Sequence, residues 1–276
     1  MSLVSKLTAI RDVATALLRH PAESRRALAL LTAQQRGAQL LAGWPMQESR
    51  GPSAVVATSA NPLRRYFDGV TSGPGIWKWL HYLDLYDRHL RKFVGQQVVV
   101  VEVGVFSGGS LPMWHDYFGA RCHVHGIDIE PACMAYQSSQ TTIHIGDQAR
   151  RGFWRSFREQ VPIVHVFIDD GGHQPEQQMV TIEEMLPHLQ PGGVYICEDV
   201  HGVGNPFTAF TAGMLDQLQA WKSLADPRAY GSVPSAAQRA IDSLHLYPFS
   251  VVIELREQLL NELDSARRGS KWQPFL

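Results

Sequence analysis

The chain has 276 residues, of which 45% are hydrophobic, so it can bury a full globular core. Its 25 Lys and Arg residues are balanced by 26 Asp and Glu residues, which argues against binding to nucleic-acid phosphates or an anionic membrane surface. Small or neutral partners are favoured. The three cysteines form no Cys-x-x-Cys pair, and no apolar run reaches the roughly 18 residues of a membrane span, so the composition predicts a cytoplasmic protein.

Residues 1–60 predict a helical N-terminal extension. Apolar residues recur at helical spacing over 3–18 and again over 21–41. These apolar stripes are expected to pack between subunits or over the active site, so a homo-oligomer is predicted. Between 43 and 75 the periodicity fails and Pro, Gly, Ser and Asn accumulate, which is typical of a loop.

Residues 61–96 include an aromatic-rich segment, which is expected to cover the site and to form a helix. Four side chains of this segment could lie against a sugar face or adenosine, or could pack in the core: Trp77, Trp79, His81 and Tyr82.

Residues 97–276 predict an α/β domain. Short apolar runs, typical of buried strands, occur at 98–103, 123–127, 142–145, 163–168 and 194–197. Helical stretches such as 175–189 lie between them, and this alternation predicts a doubly wound parallel sheet. Runs at 244–247 and 250–255 predict an antiparallel hairpin at its edge.

Glycines and acids follow the predicted strands, where a doubly wound sheet binds its ligands. The first strand runs into V-E-V-G-V-F-S-G-G-S, a turn that lets the backbone approach a ligand. Phe106 stands where a dinucleotide motif requires its second glycine, which argues against NAD. Asp128 ends the second strand, where an acid can bind ribose hydroxyls, and Asp147 ends the third. Taken singly, each could be a solvated loop acid.

The motif L-Q-P-G-G-V-Y-I-C-E at 189–198 places a Pro-Gly-Gly turn before a buried strand. With E-x-G-x-x-x-G, G-I-D-I and G-D-Q in the same order, it resembles the class I S-adenosylmethionine-dependent methyltransferases. The resemblance implies a Rossmann-like sheet of seven strands, the last one antiparallel. It also implies where the cofactor binds: the methionine end near Glu102 and Gly104, the ribose at Asp128 and the adenine near the G-D-Q turn. The full set of implied cofactor-binding residues is Glu102, Gly104, Ser107, Gly108, Asp128, Asp147, Gln148, Asp169 and Asp170.

The fourth and fifth predicted strands end in F-I-D-D-G-G-H and I-C-E-D-V-H. These strands are adjacent in this fold, so Asp170, Glu198 and Asp199 are expected to converge. Close carboxylates repel one another, which a divalent cation relieves, and oxygen ligands favour Mg²⁺ over zinc. His173 would lie beside that metal. The alternatives are acids that cap helices or bind arginines, and a loop histidine with no catalytic task.

These two motifs, with N-P-L-R-R-Y-F and G-I-W-K-W-L-H-Y upstream, resemble the Mg²⁺-dependent macrolide-sugar O-methyltransferases over 61–201. The match implies that Asp170, Glu198 and Asp199 bind the metal and that His173 is the general base, with His201 as its competitor. The implied activity is methyl transfer from S-adenosylmethionine to a hydroxyl of a sugar or glycoside, in natural-product or polysaccharide biosynthesis.

Two other functions remain open. A catechol-type O-methyltransferase would also require Mg²⁺ and neighbouring oxygens but would act on an aromatic acceptor. A non-catalytic relative would bind the cofactor within a biosynthetic complex. His123 and His125 have i, i+2 spacing on a predicted buried strand, which favours packing or surface positions over metal binding.

Overall fold

The computed structural model describes residues 21–43, 61–223, 231–266 and 268–270. The chain divides into two units, Met1–Ala57 and Thr58–Leu276. In the first, α1 (Pro21–Ala42) confirms the helix predicted over 21–41, whereas the helix predicted over 3–18 lies outside the described residues. No helix in the described ranges is long and apolar enough to cross a membrane.

A seven-stranded sheet organises the second unit. Its strands are β1 (Val98–Val103), β2 (Cys122–Asp128), β3 (Thr141–Ile145), β4 (Val166–Asp169), β5 (Val194–Cys197), β7 (Ile241–Tyr247) and β8 (Ser250–Leu255). Their order is β3-β2-β1-β4-β5-β8-β7, and the first five strands are parallel. Strand β8 is antiparallel to both of its neighbours. The predicted sheet and its edge hairpin are therefore confirmed. Strands β6 (Gly231–Ser232) and β9 (Leu263–Asp264) form a separate pair.

Helices cover both faces of the sheet. They are α2 (Pro62–Gly69), α3 (Leu80–Leu90), α4 (Ser110–Phe118), α5 (Arg151–Gln160), α6 (Pro175–Met185), α7 (Pro206–Leu218) and the short α8 (Ala236–Ala240). One buried apolar cluster joins α2, α3 and α4 to the sheet, and a second joins α5, α6 and α7 to it. Both faces of β1, β4 and β5 are thus covered, which explains their continuous apolar sequences.

Two predictions about the segment before β1 are wrong, namely the extent of the loop over 43–75 and the start of the helix in the aromatic-rich segment. Helix α2 lies within the predicted loop, because the Asn61 side chain accepts hydrogen bonds from the Leu63 and Arg64 amides and Pro62 suits the first helical position. Helix α3 begins only at Leu80, so the Trp77–Trp79 stretch precedes it in an extended conformation. At α2 the local capping contacts form a helix where the sequence shows no apolar periodicity.

The register of the central strands positions the loops that follow them. Asp169 pairs with Val103 of β1 on one side and with Cys197 of β5 on the other. The three strands therefore end at the same level, and Gly104, Asp170 and Glu198 follow them directly.

Candidate active site

A cavity of about 590 Å³ opens at the carboxyl ends of the parallel strands. Its lining includes nine of the predicted site residues: Gly104, Ser107, Asp128, Asp147, Gln148, Asp170, His173, Glu198 and Asp199. Glu102, Gly108 and Asp169 do not line it. The volume lies within the range of small-molecule sites.

The glycine-rich loop after β1 packs closely against neighbouring backbone. Gly104 has φ +91°, and a Cβ at this position would overlap the carbonyl oxygen of Asp170. Gly109 donates its N–H to the Gly75 carbonyl oxygen at 3.2 Å, and a Cβ there would overlap the same group. Glycine at these positions brings the β1 loop against the β4 loop and anchors the segment that carries Trp77–Trp79.

Backbone strain is concentrated around the cavity. In the described part of the chain, four non-glycine residues have positive φ: Phe106 (49°), His173 (55°), Asp199 (54°) and Phe249 (62°). The first three line the cavity, and the Phe249 ring lies 5.1 Å from that of Trp79. Such conformations cost roughly 1–3 kcal/mol each and are typical of functional sites.

Asp128 ends β2 and faces the cavity. Its Oδ2 accepts a hydrogen bond from the Phe106 amide and its Oδ1 accepts one from the Glu130 amide, both at 2.9 Å. These bonds fix the orientation of the carboxylate. Each oxygen keeps a second lone pair, so Asp128 can still accept hydrogen bonds from a ligand's hydroxyl groups.

Three predicted cofactor residues are buried and bonded to protein groups. Glu102 accepts a hydrogen bond from the Ser110 hydroxyl at 2.7 Å. Gln148 donates to Asp169 at 2.9 Å and accepts from the Gly172 amide at 2.7 Å. Burial raises the pKa of Asp169 to about 7. These side chains hold the strand-end loops in place, and their contact with the cofactor remains a prediction.

Asp170, His173 and Asp199 lie together at one side of the cavity. His173 Nε2 lies 3.9 Å from Asp170 Oδ1 and 3.6 Å from Asp199 Oδ2, and one potential ligand atom from each residue lies within 4.8 Å of the others. The two carboxylates fit a divalent cation, and the imidazole lies beside them. His201 Nε2 also lies 3.6 Å from Asp199, at Oδ1.

Glu198 lies beside this group but its side chain is only 1% exposed. Its Oε1 accepts a hydrogen bond from the Tyr86 hydroxyl at 2.5 Å, and its Oε2 lies 3.1 Å from Lys78 Nζ. Burial and the neighbouring Asp170 raise the pKa of Glu198 to about 8, against the opposing effect of Lys78. The structure thus brings all three predicted ligands to one place, with Glu198 turned inward.

Lys78 is a site residue to which the sequence analysis gives no role. Its side chain is 3% exposed, and its Nζ lies 2.5 Å from Asp170 Oδ2. Burial lowers the pKa of this amine, but Asp170 and Glu198 together raise it well above its usual value. One feature of the sequence could have indicated a role for Lys78, namely its position among the aromatic residues of G-I-W-K-W. A lysine buried among aromatic residues requires a charged partner, because lysine is rarely buried without one.

The aromatic segment contributes both to the cavity and to the core. Trp77 is 88% exposed and lines the cavity. Trp79 donates from Nε1 to Asp199 Oδ1 at 2.9 Å, and the hydroxyl oxygen of the buried Tyr82 lies 3.1 Å from the same oxygen. Sequence reasoning missed Phe249, whose carbonyl accepts from Tyr82 at 2.8 Å, because the β7–β8 turn is distant in sequence.

Comparison with known proteins agrees with this fold and site. Residues 101–200 match the model of a family described as a methyltransferase domain. The chain contains a class I methyltransferase domain. This confirms the fold and the family that the sequence motifs resemble.

Two curated relatives are O-methyltransferases by name. The chain is 32% identical over 81% of its length to demethylmacrocin O-methyltransferase of Streptomyces fradiae. It is 31% identical over 79% of its length to mycinamicin VI 2''-O-methyltransferase of Micromonospora griseorubida. The matches span 58% and 55% of those two proteins.

A solved structure supports the same relationship. The methyltransferase MycE of the mycinamycin pathway, in complex with Mg, SAH and mycinamycin VI, matches with a TM-score of 0.57 and 26% identity. The match covers 71% of this chain and 52% of that one.

Proposed function

We propose that the protein is an S-adenosylmethionine- and Mg²⁺-dependent O-methyltransferase that acts on a hydroxyl of a sugar or glycoside. The observation that carries the proposal is the group of Asp170, His173 and Asp199, which lies in one cavity with Asp128 and the glycine-rich loop. The O-methyltransferase relatives and MycE's complex with Mg, SAH and mycinamycin VI support it.

The cofactor is assigned to the β1 and β2 side of the cavity. There the Asp128 carboxylate, held by the Phe106 and Glu130 amides, would accept hydrogen bonds from the ribose hydroxyls. Gly104 and Ser107, two residues predicted to bind the cofactor, also line this cavity and suit the methionine end. S-adenosylmethionine supplies an electrophilic methyl group on a sulfonium.

The acceptor is assigned to the opposite side. Asp170 and Asp199, with Glu198 behind them, would hold Mg²⁺, whose positive charge would stabilise an oxyanion developing on the acceptor. Exposed Trp77 and half-exposed Trp79 offer flat apolar surfaces at this side of the cavity, where the acceptor could pack.

His173 is assigned the proton transfer. Its Nε2 faces the Asp170 and Asp199 carboxylates, which would stabilise the imidazolium after Nε2 has taken the proton of the acceptor hydroxyl. As the new C–O bond forms, the C–S bond breaks and S-adenosylhomocysteine leaves with the electron pair on sulfur. The atoms of the reaction balance without a further reactant.

Methyl transfer from labelled cofactor to a panel of glycosides tests this function, with catechols as the rival acceptors. Labelled glycoside detected by mass spectrometry is the expected product. Labelled catechol alone would replace the proposal with a catechol-type enzyme. Cofactor binding without transfer to any acceptor would favour the non-catalytic alternative.

Metal dependence is the accompanying prediction. Excess EDTA should abolish turnover and added Mg²⁺ should restore it, because the Asp170 and Asp199 carboxylates lie beside the base, with Glu198 behind them. Asp199→Asn should weaken Mg²⁺ binding, measured by calorimetry, while Asp242→Asn on the distant edge strand β7 serves as the matched control. Full turnover in EDTA would overturn the metal assignment.

A further inference from the structure

Lys78 is enclosed by carboxylates at the inner wall of the cavity. Its Nζ lies 2.5 Å from Asp170 Oδ2, 3.1 Å from Glu198 Oε2 and 3.7 Å from Glu102 Oε1. The lysine side chain is 3% exposed and those of Glu102 and Glu198 are 0% and 1% exposed. A buried amine in this position neutralises charges that water cannot reach.

These contacts occupy oxygens that the proposed metal would need. Both oxygens of Glu198 have a partner, since Tyr86 donates to Oε1 and Lys78 lies against Oε2. Asp170 Oδ2 is held by Lys78, while Asp170 Oδ1 faces His173. Asp199, by contrast, has no contact with Lys78 and is bonded to Trp79 and Tyr82. Lys78 therefore holds Asp170 and Glu198, whereas Asp199 is held by the neighbouring Trp79 and Tyr82.

We propose that Lys78 is an internal counter-ion that competes with the divalent cation for Glu198 and Asp170. The inference rests on the proposed function, because that function places a cation at these acids. In the metal-free protein Lys78 neutralises the buried carboxylates and keeps their loops together. When a divalent cation binds, it takes over this neutralisation, and the lysine yields its contact with at least one of the two acids.

The electrostatic reason is the proximity of like charges. An ammonium and a divalent cation that share carboxylates repel each other, and the burial of Lys78 and Glu198 reduces the screening of this repulsion by water. Lys78 thus keeps the metal-free site folded at the expense of metal affinity. A lysine that served packing alone would alter stability but not the affinity for the cation.

The test compares wild type with Lys78→Met, which keeps the length of the side chain and removes its charge. Titration with Mg²⁺ in a calorimeter should show tighter binding by the variant, by about tenfold. Thermal melts should show a lower Tm than wild type without metal and a larger rise in Tm when Mg²⁺ is added. Lys92→Met is the matched control, since Lys92 pairs with Glu254 away from the cavity. It should bind Mg²⁺ as wild type does.

Equal or weaker Mg²⁺ binding by Lys78→Met would overturn the competition. Lys78→Gln, which keeps hydrogen-bond donors without the charge, should reproduce the tighter binding. Failure of both variants to fold even in saturating Mg²⁺ would also overturn it, because the metal should replace the lost charge. If only the variants bind Mg²⁺, the competition stands and the Mg²⁺-dependent function of the wild type fails. If no form binds Mg²⁺, both proposals fail.

Discussion

The Nε2 atoms of His173 and His201 both lie 3.6 Å from a carboxylate oxygen of Asp199. This distance therefore does not distinguish which histidine is the general base. Other features separate them. His173 also lies 3.9 Å from Asp170, has the strained φ of 55°, and its Nδ1 is buried with no hydrogen-bond partner. His201 is more exposed, at 48% of its side chain against 35%. These features favour His173.

His173→Ala should reduce kcat by roughly 10²–10⁴, the usual contribution of general-base catalysis, because no group then takes the acceptor's proton. Affinities for the cofactor and Mg²⁺, measured by calorimetry, should remain nearly unchanged. His201→Ala is the comparator and should retain most activity. The reverse pattern would assign the base to the loop after β5.

Asp128→Ala tests the cofactor side at the same scale. Loss of charge-assisted hydrogen bonds to ribose should weaken S-adenosylmethionine binding by about 1–3 kcal/mol. Asp147→Ala tests the other predicted cofactor acid, which lines the cavity, accepts a hydrogen bond from the Ala149 amide and pairs with Arg150. Unchanged calorimetric affinity in Asp128→Ala would remove this residue from the cofactor site.

At the scale of elements, the site depends on strand ends and two chain segments that meet them. The strand register aligns the ends of β1, β4 and β5. The glycines in the loop after β1 let this loop pack on the loop after β4. The stretch before α3 and the β7–β8 turn then close the site from the other side, through Trp79 and Phe249. Strand β2 contributes Asp128 to the site from its end, while His125 in its body lies against His144 of β3 and Phe157 of α5.

These histidines make stability depend on pH. His125 Nδ1 lies 3.0 Å from His144 Nε2, and His123 is adjacent, with ring centroids 4.8 Å apart. Burial, with a further contribution from His144 and His123, lowers the pKa of His125 to about 4. The sequence-based expectation that His123 and His125 are packing or surface residues agrees with their partly buried positions.

In the unfolded chain His125 has a pKa near 6.5, so the unfolded chain binds a proton at this side chain more readily than the folded chain. His125 therefore does not reduce the free energy of unfolding above about pH 6.5, but it lowers this free energy as pH falls towards 4, by about 3 kcal/mol at pH 4. His125→Gln should show a flatter loss of Tm over this range than wild type. His245→Gln on edge strand β7 is the control. An identical pH profile for His125→Gln and wild type would contradict the prediction.

At the scale of the whole molecule, the chain consists of two units, and the helix of the first carries exposed leucines. Leu28, Leu31 and Leu41 of α1 are 57–71% exposed. Exposed apolar side chains on one helix are typical of a contact surface, so the prediction of a homo-oligomer remains.

Light scattering after size exclusion tests this prediction. Wild type should have a multiple of the chain mass of 30.8 kDa, and Leu28→Glu with Leu31→Glu should lower it, because charges would be buried in the contact. Arg36→Glu, a charge change on the same helix, is the control. A wild type of monomeric mass would refute the homo-oligomer.

The parallel sheet, its edge hairpin and the order of the strand-end motifs can be predicted from the sequence. This was possible because buried strands require continuous apolar runs and because each motif lies within a few residues of its strand. Asp170, Glu198 and Asp199 could be grouped from sequence, since adjacent parallel strands end at one edge. Even α2, which the loop prediction missed, has a readable signal in Asn61-Pro62.

The pairing of the charges in the site, by contrast, follows from contacts between distant parts of the chain. Lys78 is 92 residues from Asp170 and 120 from Glu198 along the chain, and Phe249 reaches Tyr82 across 167 residues. Such contacts depend on the packing of α3 and the β7–β8 turn against the sheet, for which local patterns carry no signal. The inward orientation of Glu198 has the same origin: the Tyr86 hydroxyl and the Lys78 amine are the groups that satisfy a carboxylate buried beneath the cavity.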